Sequence, residues 1–162
     1  MGRIFQVLTP SPQRQILGNY ILNASESGDT YNGMVAALNN NSGTPQWIKA
    51  DGTDDAVGLF YEHMDILEES YDLLDLADEN LITVMEGLRV GVITGQFQAL
   101  LSVDYFDAAP DPAVELYDAE DGSITTTGSG KEKIGRCLGT QTSGSTTLYH
   151  CWFDFGSIHA VG

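Results

Sequence analysis

The sequence predicts an all-β protein, a small β-sandwich or β-barrel with an extended N-terminal arm. Three observations carry this reading. Short runs of aliphatic, β-branched and aromatic residues follow one another along the chain, and Gly-, Asn-, Asp- and Ser-rich turn signals separate them roughly every ten residues. Glycine is plentiful, at 18 residues. The chain is 42% hydrophobic over 162 residues, enough for one domain with a real core.

The elements follow in order. Residues 1–29 read as an extended arm that carries Ile4, Phe5, Val7, Leu8, Ile16 and Leu17. Its apolar residues fall on no helical face, and Pro10 and Pro12 bar a regular central strand. So apolar an arm must be buried, either on its own domain or on a partner. Residues 30–162 read as the β domain. GMVAAL (33–38) precedes the turn signal NNNSG, PQWIKA (45–50) precedes Asp51-Gly52, and AVGLFYE (56–62) follows. NLITVMEGLRVGVIT (80–94) reads as two strands broken at Glu86-Gly87 or as one long bent strand, and QALLSVDYF (98–106) as the next strand. AVELYDA and GSITTTG flank Asp121-Gly122, a hairpin signal. AVGLF and KIGRC share an apolar-Gly step. Residues 62–80 alone resist: Met64, Leu67, Tyr71 and Leu74 have helical spacing, but adjacent carboxylates repel one another in a helix, so a long acidic loop or a short helix is expected.

KIGRCLGTQ and TTLYHCWFDF close the domain as a hairpin. Cys137 and Cys151 are the two cysteines, and Gly144 lies midway between them. A hairpin turning at Gly144 pairs Cys137 with Cys151, Arg136 with Trp152 and Leu138 with His150. Facing residues at a non-hydrogen-bonded position lie about 4.5 Å apart at Cα, within reach of a disulfide. In a cytoplasmic product such a pair stays reduced, so two buried thiols with sulfurs in contact are expected. No cationic group or helix N-terminus is indicated to make either cysteine catalytic.

Charge sets the function classes. Seven basic residues stand against 23 acidic ones, a net charge of −16. Residues 51–86 hold 12 carboxylates and residues 104–121 hold 7, and neither stretch contains Lys or Arg. Such a surface repels phosphate backbones and anionic bilayers, so no nucleic-acid or membrane partner is expected. The opening residues show no apolar targeting segment, which makes a cytoplasmic start the expectation.

Catalytic, cofactor and metal motifs are not found, and no enzyme activity or cofactor is expected. TGSGKE (127–132) fails as a phosphate loop: Glu132 stands where Ser or Thr belongs, and a strand follows it. There is no G-x-S-x-G elbow, and His63, His150 and His159 lack ligand spacing. DGTDD (51–55) and DAEDG (118–122) miss the EF-hand register and read as Asp-Gly turns. The glycosylation triplets at Asn23 and Asn40 carry no weight without a secretory signal. Trp47 and Trp152 lie in strands and read as core residues.

The order of these pieces resembles the head decoration (capsid cement, or stabilising) proteins of tailed bacteriophages. The likeness runs over about residues 30–156, from GMVAALNNNSGTPQWIKADGTDDAVGLFYEH through LITVMEGLRVGVIT to the Ile-Gly-Arg-x-Leu-Gly strand at 134–139 and the aromatic strand TLYHCWFDF. It implies a virion protein, made in the host cytoplasm, that binds the outer face of an icosahedral capsid. It further implies a homotrimer that clamps neighbouring major capsid protein subunits and has no catalytic residues. The arm, with Ile4, Phe5, Val7, Leu8, Pro10, Pro12, Ile16 and Leu17, is the expected partner interface. The acidic stretch 62–80 departs from the family pattern as an insertion. The competing reading is a β-rich tail, fibre or glycan-binding module, which needs exposed aromatic side chains.

Overall fold

The structure is a computed structural model that describes residues 3–18, 20–23, 29–41, 43–53, 55–61 and 87–155. The acidic stretch 62–80, His63 and His159 lie outside the described residues. The chain is all-β: β1 (Phe5–Leu17), β2 (Ile21–Leu22), β3 (Val35–Asn41), β4 (Thr44–Lys49), β5 (Ala56–Phe60), β6 (Val92–Ser102), β7 (Glu115–Asp118), β8 (Ile124–Thr125), β9 (Lys133–Ser143) and β10 (Thr146–Asp154). These strands form one mixed sheet in the order β2-β4-β3-β5-β6-β10-β9-β7-β8, with β1 also on β6, and the sheet is not closed into a barrel. Strand β2 runs parallel to β4, and the other strand pairs are antiparallel.

Strand β6 organises the molecule. One of its sides takes β1, from Leu17↔Val92 to Phe5↔Leu101. The other side is shared: β5 pairs with Val92 and Ile93, and β10 with Gln96 to Ser102. Two wings therefore hang on one strand, β2-β4-β3-β5 and β10-β9-β7-β8. A single apolar cluster draws on both, with Leu22, Val35, Trp47 and Leu59 from the first and Leu116, Ile124, Cys137, Cys151 and Phe153 from the second. Phe97 of β6 packs on Phe153 with ring centroids 5.4 Å apart. The two wings also meet away from β6, where Gly122 N–H donates to Ala50 O at 2.8 Å and Ala56 N–H to the Glu132 carboxylate at 2.9 Å.

Several expectations change in detail. The break expected between residues 94 and 98 is absent. Gly95, at φ +84, is accommodated inside a continuous β6, so one strand joins the ends of two expected ones. The tail leaves β6 at Val103–Tyr105, which form a 3-10 turn, and Phe106 then bridges to Ile124 of β8. Asp121-Gly122 does make the hairpin turn between β7 and β8, both residues having positive φ as a type I′ turn requires. The apolar-Gly step shared by AVGLF and KIGRC has one physical cause. A Cβ on Gly58 would lie 2.1 Å from Ile93 O, and one on Gly135 would lie 2.2 Å from Trp152 O. At both sites a neighbouring strand's carbonyl occupies the space a side chain needs.

The closing hairpin turns at Gly144, whose φ of +62 suits the first position of a two-residue hairpin loop. Cys137↔Cys151 and Arg136↔Trp152 face each other as the sequence predicts. His150, however, faces Gly139, and Leu138 is the extra residue of a bulge. Centring the turn on Gly144 set the expected register; the loop is Gly144-Ser145, which moves the pairs nearest the turn by one residue, and the bulge restores the expected register from Cys137↔Cys151 onward. Trp152 is the second correction. It is 40% exposed, whereas Trp47 is fully buried. Period-two alternation turns Cys151 and Phe153 to the core and so sends Trp152 outward.

Candidate functional site

The arm residues occupy a sheet rather than a free extension. Phe5, Val7 and Leu17 pack against the core cluster, Ile4 and Leu8 are half-buried, and Ile16 is 45% exposed. Ile4 is anchored at both backbone groups: its N–H donates to Ser102 Oγ at 3.0 Å, and its carbonyl accepts from Ser102 N–H at 2.9 Å. Pro10 and Pro12 fall in the register break of β1 between Leu8 and Gln13. A bulge is where the missing N–H of proline costs no ladder bond. Among the described strands β1 pairs with β6 alone.

Near the start of β1 lies a charged cavity that the sequence reading did not find. It has a volume of about 310 Å³ and is lined by Arg3, Asp29, Tyr31, Met34, Lys49, Asp121 and Ser123. Lys49 sits on the inward face of β4 with Trp47, and its side chain is only 3% exposed. Its ammonium donates to Asp29 O at 3.4 Å and lies 3.9 Å from the Asp121 carboxylate. The Arg3 guanidinium stands over the rings of Tyr31 and Tyr105, 4.7 and 5.1 Å from their centroids, and donates to Asp104 O. Tyr105 in turn is held by donation of its hydroxyl to Asn32 O. The strand alternation in PQWIKA carried the signal, since residues two apart share a face and Lys49 is two from Trp47.

The same alternation buries an acid. Asp118 lies two residues from Leu116, and both are fully buried on β7. Asp118 Oδ1 accepts from Glu132 N–H at 3.1 Å, while Oδ2 has no hydrogen-bond partner. Desolvation raises its pKa to about 6 against the opposing Glu132 N–H bond, with the nearby Glu132 charge adding to the rise and Lys131 reducing it.

On the outer face of the hairpin, exposed Trp152 lies opposite Arg136, whose guanidinium is 3.5 Å from Glu115. Glu115 also accepts from Lys133 at 2.7 Å and from the Tyr117 hydroxyl at 2.8 Å. The Lys133 bond, then that from Tyr117, hold the Glu115 carboxyl below its usual range. His150 Nε2 lies 2.7 Å from Gln98 Oε1. On the inner face both cysteines are free thiols and fully buried. Among the described residues no three His, Cys, Asp or Glu side chains converge as metal ligands. TGSGKE forms a turn, with Lys131 N–H donating to Gly128 O at 3.1 Å, and leads into a strand.

No protein-family model matches the chain, and no curated protein is found to resemble it.

Proposed function

We propose that this chain is a structural virion protein that decorates the outer surface of an icosahedral phage capsid and stabilises contacts between major capsid protein subunits, as a homotrimer. The observation that carries the reading is the pairing of an acidic body with a long strand, β1, that presents an apolar side chain, Ile16, to solvent. With −16 net charge the body repels its own copies and nucleic acid alike. Strand β1, 13 residues long, presents Ile16 outward from this body. Such a strand suits docking by strand addition or apolar contact, and several weak contacts held in symmetry multiply by avidity. Ile4 and the β1 residues Phe5, Val7, Leu8, Pro10, Pro12, Ile16 and Leu17 are assigned to this interface, with the inward-packed members fixing its position. The family likeness in strand order supports the same role. No catalytic step belongs to this proposal.

The first test is solution mass by light scattering after size exclusion. Three copies of the 17.5 kDa chain, about 52 kDa, are expected. The deciding test adds the protein to expanded, undecorated shells. Saturable binding of hundreds of copies supports the proposal, and absence of binding refutes it. A second reading, a β-rich tail, fibre or glycan-binding module, is favoured by one observation: Trp152 stands exposed beside Arg136. Glycan titration followed by Trp fluorescence, compared with Trp152→Ala, separates the two.

A further inference from the structure

Cys137 and Cys151 pair directly across β9 and β10. Cys137 N–H donates to Val114 O at 2.9 Å, and its carbonyl accepts from Ala113 N–H at 2.8 Å. Both of its backbone groups thus point toward the β7 side, away from β10. The cysteines therefore occupy a non-hydrogen-bonded pair, the position where facing side chains lie closest. The two thiols face each other across the pair. Each also has a local carbonyl, Gly139 O at 3.7 Å for Cys137 and Tyr149 O at 3.6 Å for Cys151.

The bulge at Leu138 adjoins this pair. Ladder bonds are locally disrupted at a bulge, so the hairpin opens there at lower cost than elsewhere. Both thiols are fully buried, so a small oxidant reaches them when the hairpin opens at this bulge.

We propose that Cys137 and Cys151 are a modification site: a peroxide oxidises them to a cross-strand disulfide that fastens β9 to β10. The Cys137 thiolate attacks one peroxide oxygen, the O–O bond breaks, and the leaving hydroxide takes up the thiol proton as water. The resulting sulfenic acid meets the adjacent Cys151, whose sulfur attacks it. The S–S bond forms, the S–O bond breaks, and a second water departs with the Cys151 proton. Two thiols lose two electrons and two protons, and hydrogen peroxide becomes two waters. The roles follow from position: Cys137 adjoins the bulge residue Leu138, where the hairpin opens. The neighbouring Cys151 holds the Cys137 thiol below its usual range, and Cys151 is itself raised. Cys137 is the attacking thiolate and Cys151 the resolving thiol. None of this depends on the capsid reading.

The test uses the full chain, reduced, desalted and treated with a few equivalents of hydrogen peroxide. The expected product is a monomeric chain lighter by about 2 Da, with both thiols lost to titration under denaturing conditions and restored by dithiothreitol. It should melt roughly 5–10 °C higher than the reduced chain, because the unfolded state is now looped. Cys151→Ala should stop at a sulfenic acid on Cys137 that dimedone captures. Two thiols still titratable after treatment, oxygen added without loss of hydrogen, or chains linked to one another would each overturn the proposal, and the wild-type measurements do not require the variant to fold.

Discussion

Asp118→Asn should make the protein's stability less dependent on pH, by an amount the buried site determines. The folded-state pKa is raised from 3.8 to about 6, chiefly by desolvation of a fully buried carboxyl with one unpartnered oxygen. The folded chain thus holds this proton more tightly than the unfolded chain does. Below about pH 4 both states are protonated, and the group makes no difference. Between about pH 4 and 6 the unfolded state releases the proton first, so stability falls as pH rises. Above about pH 6 both are ionised, and the loss is complete. A shift of about two units corresponds to about 3 kcal/mol at 1.36 kcal/mol per unit. The amide introduced by the substitution keeps an acceptor for Glu132 N–H and carries no charge to desolvate. Urea titrations of both proteins at pH 3.5, 5, 6 and 7 measure the effect as a difference, in which other carboxylates cancel. The variant should gain about 3 kcal/mol on wild type between the lowest and highest pH. Parallel curves, or a variant that loses ground as pH rises, would refute the assignment of a buried, destabilising charge to Asp118.

Gly58→Ala and Gly135→Ala should each destabilise by about 1–3 kcal/mol or more in thermal melts, because the opposing atom is a backbone carbonyl that cannot rotate away. Cys137→Ala should cost about 1 kcal/mol or more under reducing conditions, as expected for lost packing in a site with no exposure. Removal of residues 1–17 tests the arm: it deletes the whole of β1, with three core-packed side chains, and chemical denaturation should show a large loss of stability. If the truncated chain folds with unchanged stability but fails to trimerise or to bind shells, β1 acts purely as a partner element.

The strand sequence was largely readable because period-two alternation and turn residues are local signals. GMVAAL, PQWIKA, AVGLF and the two closing runs all became strands. The one-residue bulge at Leu138 was not readable, since no residue type around it marks a bulge and the two cysteines pair on either reading. The continuity of β6 through Gly95 was hidden for a related reason. A glycine marks both a turn and a bend, and only the neighbouring strand decides between them. Lys49 and Asp118 are different cases. Their inward positions followed from the pattern, but the residue types argue for solvent, and tertiary context prevailed. The meeting of Arg3 with Lys49 belongs to topology alone, because it brings the start of the chain beside the end of β4.

The attachment of β1 has a mechanical consequence. Its nine backbone pairs with β6 lie side by side along a common direction. A pull along the strand from the N-terminal end therefore loads these pairs together in shear, whereas a pull across the sheet would peel them one after another. Resistance to such force is a matter of the unfolding barrier rather than of equilibrium stability. Because both wings are also fastened to β6, tension entering through β1 is passed by these pairs to the strand that joins them. β1 is thus harder to displace along the β1–β6 axis than to lift away from it.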